Sequence, residues 1–208
     1  MSAVADKALV TRKDGAQEVT SVKNHVLLLD GRVMKSFVAG RRSKNRFRRE
    51  LEALRRLQGL EGVPELLRAS HSPMCVHMSR IEGITLDRAG SVPGAVFHSL
   101  RELVERMLDH RVARHSLPAR DVLVRPDGSA GLVDFERSRS CHFSWSPIWL
   151  ASRAVTRFQL LRLIEAHAPH LLSQRESATL GMQHWLRAVY RLHLNLRKRY
   201  KRRLKSIN

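Results

Sequence analysis

The chain has 208 residues, of which 43% are hydrophobic, enough for one ordinary domain with a real core, so disorder as the dominant state is excluded. Lys and Arg number 38 against 19 Asp and Glu, a net charge of +19, and 30 of the 38 are arginine. That excess calls for an anionic partner: guanidinium forks bind phosphate bidentately, so a membrane surface, a phosphorylated glycan and nucleic acid are all candidates, and net charge alone does not choose among them. No apolar run approaches the roughly eighteen residues of a membrane span, and the first fifteen residues lack the apolar stretch of a signal peptide, so a cytoplasmic location is expected. Cys75 and Cys141 stand far apart with no CxxC or Cys/His cluster, which argues against a disulfide framework or a structural zinc site.

Residues 1–17 read as an N-terminal extension. The stretch from Glu18 to Asn24 is moderately β-prone, His25 to Leu29 is a short apolar run, Asp30-Gly31 is a hairpin turn, and Val33 to Val38 is a second run. Alternation with period two puts Val33, Lys35 and Phe37 on one face, an unusual setting for a lysine. Gly40 to Ser43 breaks the strand, and Ser43 is placed to cap a helix. On that helix Phe47, Leu51, Leu54 and Leu57 form one stripe, with Glu50 inside it and Arg48, Arg49, Arg55 and Arg56 outside. Gly62-Val63-Pro64 ends this segment, and strands are expected at Glu65 to Ala69 and Cys75 to Ile81.

After Glu82-Gly83 the chain turns mainly helical. Pro93-Gly94 opens a helix carrying Phe97, Leu100, Val104, Met107 and Leu108, and further helices are expected from Ile148 to Ala166 and from Ser173 to about Lys205. One hairpin interrupts them, Val122-Leu123-Val124 and Gly131-Leu132-Val133 about the turn Arg125-Pro126-Asp127-Gly128, and it runs into Asp134. Trp145 and Trp149, either side of Pro147, are expected in the core of the helical part, with an interfacial anchor as the alternative. Near the end Trp185, Val189, Leu192, Leu196 and Tyr200 keep one helical face, and Arg197 to Lys205 form a basic extension; no acidic residue follows Glu176.

A β-rich part with a core-facing lysine and a core-facing helical glutamate, joined at a glycine to a helical part whose hairpin ends in aspartate, resembles the protein-kinase-like superfamily. Arg32-Val33-Met34-Lys35 is similar to the strand that bears the phosphate-contacting lysine, and Glu50 to its ion-pair partner. Met78 to Gly83 resembles the hinge, His115 to Val124 the catalytic loop, and Val133-Asp134-Phe135-Glu136 the metal-binding motif. The closest likeness is to bacterial lipopolysaccharide-core sugar kinases and RIO-like proteins, through Phe47-Arg48-Arg49-Glu50, Val63-Pro64-Glu65-Leu66-Leu67 and Leu132 to Glu136. The resemblance implies an α+β, two-lobed fold: a β-rich N-lobe over 18–83, a helical C-lobe over 84–196 and a basic tail over 197–208.

It also implies ATP held on the side of Val33, Lys35 and Glu50, and Mg²⁺ on Asp121 and Asp134. Ser116 stands where the family keeps its catalytic aspartate, Arg114 where histidine is usual, and Asp121 where the metal-binding asparagine is usual. His115 is the one titratable neighbour that could orient the loop or replace the base. No glycine-rich phosphate loop is recognisable between Lys13 and His25, and Glu136 replaces the glycine that usually ends the aspartate motif. Three readings result: a slow kinase for a lipopolysaccharide-core sugar or protein hydroxyl at the cytoplasmic face of the inner membrane; a pseudokinase acting as a regulatory or scaffolding partner of another protein; and a basic nucleic-acid-binding protein. The last lacks any recognisable DNA- or RNA-binding signature, and aromatics are only 5%, which leaves few stacking platforms.

Overall fold

The computed structural model describes residues 8–11, 17–20, 24–143 and 145–181. Its first layer is a six-stranded antiparallel sheet of β1 (Ala8–Thr11), β2 (Gln17–Thr20), β3 (Asn24–Leu29), β4 (Arg32–Phe37), β5 (Leu66–His71) and β6 (Met74–Ser79), ordered β1-β2-β3-β4-β6-β5. The sheet thus reaches into the stretch read from sequence as an extension: Ala8–Thr11 pairs with β2 in register, and the N-lobe starts before residue 18. β3 and β4 form the hairpin expected at Asp30-Gly31, with Gly31 at a φ of 63°, where a side chain is disfavoured.

Helix α1 (Ser43–Arg56) packs its predicted stripe, Phe47, Leu51 and Leu54, into the interior together with a fully buried Glu50. Ser43 does not cap it. Its hydroxyl donates back to the Gly40 carbonyl and accepts from the Gly40 amide, which tightens the β4–α1 turn, and Arg42 holds the cap position without a side-chain bond. Phe47 meets Phe37 edge-on at 5.6 Å, fixing the helix against β4.

The C-lobe begins with β7 (Ile84–Thr85), which joins β9 (Val122–Val124) and β10 (Ala130–Leu132) in a small sheet, and continues through α2 (Gly94–Asp109). A second pair, β8 (Val112–Arg114) with β11 (Ser138–Ser140), brackets residues 115–137. β7, β8 and β11 are too short to leave a periodic signature. Helix α3 (Pro147–His167) follows, and residues 174–181 are helical after Ser173, whose hydroxyl and amide both donate to Glu176 as in a capping box. Trp185, the stripe to Tyr200 and the basic tail lie outside the described residues. Trp149 is in the core, but Trp145 is 75% exposed, against the expectation that both would be buried: one residue of α3 turns inward and one before it does not. Among the described residues no helix is long and apolar enough to cross a membrane.

Two glycines hold the lobes' junction to shape. Gly62, at a φ of 83°, accepts the Leu132 amide at 2.7 Å. At Gly83, with a φ of 149°, a Cβ would sit 2.6 Å from the Val124 carbonyl oxygen. Gly83→Ala is therefore expected to cost about 1–3 kcal/mol in urea unfolding, whereas Gly90→Ala, with nothing within 4 Å of its Cβ, should leave the midpoint almost unmoved.

Candidate functional site

The site is built where β4, α1 and the segment after β10 converge. Lys35 projects from β4 and is 6% exposed. Its ammonium donates to Glu50 Oε2 at 2.8 Å and to Asp134 Oδ1 at 2.7 Å, and Glu136 Oε2 lies 3.9 Å away. Burial alone would lower the lysine's pKa, but Glu50, Asp134 and Glu136 outweigh it and hold the ammonium charged above its ordinary range. Around Glu50 the balance reverses. Burial raises its pKa, Lys35 opposes that, and the neighbouring carboxylates add to the rise. Glu50 Oε1 is buried with no hydrogen-bond partner among the described residues. Three carboxylates thus face one ammonium, the third of them shared with Arg46.

Glu136, where the sequence departs from the kinase-like pattern, carries a second tie between the lobes. Its Oε2 accepts from Asn24 Nδ2 at 2.9 Å and sits 3.5 Å from Arg46 Nη1, which also donates to Asn24 Oδ1. Strand β3, helix α1 and the segment after Asp134 are therefore joined through one carboxylate.

Arg114 organises the rest. It ends β8 almost fully buried, donates to Asp121 Oδ2 at 2.6 Å and to the carbonyls of Val133 and Asp134 at 2.9 and 3.1 Å, and lies over the Phe135 ring at 5.2 Å. Its own amide donates to Thr156 Oγ1 in α3, whose hydroxyl donates to the Arg114 carbonyl. Asp121 closes a one-turn 3-10 segment (Ala119–Asp121) ahead of β9, and its carbonyl accepts the Val133 amide. Asp134 adopts a φ of 64°, a left-handed conformation that Asp tolerates better than most residues. One guanidinium therefore sets both candidate metal-ligand segments.

Burial raises Asp121 from the usual carboxylate range to about 6, Arg114 opposes the shift, and Asp134 adds to it. Among the described residues no three His, Cys, Asp or Glu side chains form a preformed metal cage. Two carboxylates completed by phosphate oxygens and water are nonetheless the donor set Mg²⁺ commonly takes, and Asp121 with Asp134 supply that chemistry.

The remaining candidates are placed less centrally. Val33 is half-buried two residues before Lys35, between Leu28 of β3 and Met78 of β6. Ser116 is half-buried, and its hydroxyl has no partner among the described residues. His115 is exposed and lines a separate basic cavity between α1 and β11. Arg114, Glu136, Asn24 and Arg46 were missed as site residues. For Arg114 a weak signal existed, an arginine directly after the apolar pair Val112-Ala113, and for Glu136 only its departure from glycine.

No protein-family model matches the chain, and no curated protein matches it. Among solved structures it is similar to WbdD, with a TM-score of 0.53 at 15% identity over 68% of this chain and 35% of that one. The chain thus spans about a third of WbdD's length. The fold is kinase-like and two-lobed: a small antiparallel β lobe with one helix, and a mainly helical lobe.

Because the folded state holds the Asp121 proton more firmly than the unfolded chain does, this group's contribution is complete at acid pH and is lost as pH rises through about 6. Relative to wild type, Asp121→Asn should remove a fall in unfolding free energy of roughly 2–3 kcal/mol between about pH 4 and 7. Parallel urea titrations across that range read the difference in slope.

Proposed function

We propose that the chain binds Mg²⁺-ATP and slowly transfers its terminal phosphoryl group to a hydroxyl of a lipopolysaccharide-core sugar or of a protein, at the cytoplasmic face of the inner membrane. The observation that carries this reading is the lysine held between Glu50 at 2.8 Å and Asp134 at 2.7 Å at the junction of the lobes. Such an ion pair keeps an ammonium fixed and charged in a buried place, where it can face phosphate oxygens. Lys35 would neutralise phosphate charge, Glu50 would hold Lys35 in place, and Val33 would form part of the apolar wall beside it. Asp121 and Asp134 would hold Mg²⁺, whose chemistry is to bridge and neutralise phosphate oxygens. Arg114 keeps those two carboxylates in register.

Slow turnover is expected because Ser116 occupies the place of a carboxylate base. A neutral hydroxyl does not accept the acceptor's proton as a carboxylate does, so transfer would rest on positioning and charge neutralisation alone. His115, the neighbouring titratable side chain, lines the basic cavity and would orient the loop or stand in for the base. Ser116 also favours a second reading, a pseudokinase that keeps the fold and the nucleotide pocket and acts through a protein partner.

Calorimetric titration of Mg²⁺-ATP into wild type, Lys35→Ala and Asp134→Asn separates these readings, with circular dichroism confirming that each remains folded. The kinase reading expects binding by wild type that both substitutions abolish, and a Ser116→Asp variant whose ATP turnover rises at least about tenfold. Wild-type binding without any gain in Ser116→Asp supports the pseudokinase. Absence of binding by folded wild type overturns both nucleotide readings.

A further inference from the structure

Behind α1, on the side away from Lys35, lies an open cavity of about 1030 Å³ between that helix and β11. Its charged lining is Arg48, Arg49 and Arg55 from α1 and Arg137 and Arg139 from the segment after Asp134, with His115 at its edge. None of these five arginines has a hydrogen-bond or ion-pair partner among the described residues. The one carboxylate in the lining, Glu52, is taken by Arg56 at 2.7 Å. The field they create is visible at His115, whose pKa is lowered by burial and then by Arg139 and Arg49. Five unpaired guanidiniums on one concave face repel each other unless anions lie among them.

The second observation is apolar. β11, which carries Arg139, runs directly into Phe143, Trp145, Ile148 and Leu150, exposed by 61, 75, 61 and 54%. Phe143 and Trp145 lean together at a centroid distance of 5.7 Å. The knuckle has an anchored base: Arg56 donates to the Cys141 carbonyl at 2.6 Å, and Arg111 donates to the His142 carbonyl. Phe143 and Trp145, next in the chain to His142 of the cavity wall, with Ile148 three residues on, set exposed apolar side chains beside arginines that have no partner among the described residues; Leu150, about 200° round α3 from Ile148, faces another way.

We infer that this surface docks the protein on an anionic bilayer, with the groove arginines on lipid phosphates and Phe143, Trp145 and Ile148 in the boundary between headgroups and acyl chains. A soluble phosphorylated ligand or a nucleic acid would account for the arginines but leave the apolar knuckle in water. The bilayer satisfies both at once, since aromatic and aliphatic side chains gain by entering that boundary and arginines gain on anionic headgroups. The inference goes beyond phosphoryl transfer and does not depend on it, because the surface is separate from the Lys35 cleft.

The test uses the full chain with vesicles of phosphatidylcholine alone or with about one third phosphatidylglycerol, near physiological salt. Sedimentation measures partition, and vesicles brominated in the acyl chains quench any indole that enters them. The difference between wild type and Trp145→Phe isolates the signal of Trp145. Expected are quenching of Trp145 only on phosphatidylglycerol vesicles and, for Arg48→Gln/Arg139→Gln, a partition coefficient reduced about 30-fold, from roughly fivefold per basic residue near an anionic surface. Ile148→Ser should also weaken partition without altering the circular dichroism, since all these side chains are exposed. Sedimentation with Trp145 unquenched, or unchanged by the arginine pair, would assign membrane contact elsewhere in the chain and overturn the proposal. So would capture of inositol hexakisphosphate or duplex DNA with no association to vesicles.

Discussion

A charged ammonium cannot remain under a β-sheet without carboxylates to hold it, and the placement of Lys35 governs much of the chain's architecture. Its partners come from sequence positions 15, 99 and 101 residues away: Glu50, Asp134 and Glu136. They arrive on two elements, Glu50 on α1 and Asp134 with Glu136 on the segment after β10, so meeting the demands of one buried charge brings α1 and the end of the β9–β10 hairpin against β4. Burying charges is costly unless geometry and hydrogen bonding compensate. Here the compensation is incomplete, with one Glu50 oxygen unpartnered among the described residues. Incomplete pairing in a buried cluster is a poor way to gain stability and a reasonable way to keep a cation-binding place ready.

Arg114 plays the complementary part below. A guanidinium can give several parallel bonds from one rigid plane, and Arg114 uses this to hold Asp121 and two successive carbonyls while its face covers Phe135. Histidine, usual at this position in the family the sequence resembles, has two ring nitrogens and could not make the same set of bonds. Arg114 and Asp121 are therefore linked: a buried carboxylate at 121 requires a buried cation, and Arg114 supplies it. Likewise Glu136 is matched by Asn24 and Arg46. Ser116 has no such partner among the described residues.

The two faces of α1 divide the molecule's chemistry. One face carries Glu50 inward to Lys35, and the other presents arginines to an open cavity beside exposed aromatic residues. Because a helix places residues 48, 49 and 50 about 100° apart, adjacent positions serve opposite environments. Among the described residues, five of the chain's 30 arginines thus share one cavity wall that includes none of Lys35, Glu50, Asp121 and Asp134.

Periodicity and turn chemistry determined much on their own. The β3–β4 hairpin, the stripe of α1 with Glu50 inside it, α2, and the hairpin ending at Asp134 were legible because each is a local pattern with its own period or punctuating residues. Lys35, Glu50 and Asp134 could be named because an unusual residue on an apolar face, or an aspartate at a hairpin exit, is visible along the chain, whereas Asp121 was named only through the likeness of its segment to a kinase catalytic loop. Only the tertiary structure decided what those residues touch. The pairing of Ala8–Thr11 with the sheet, the strands β7, β8 and β11, the bonds of Arg114 and Glu136, and the separation of buried Trp149 from exposed Trp145 all depend on contacts between distant segments. No local period encodes them, since a two- or three-residue strand is defined by its partner and a buried charge by the groups that converge on it from elsewhere in the fold.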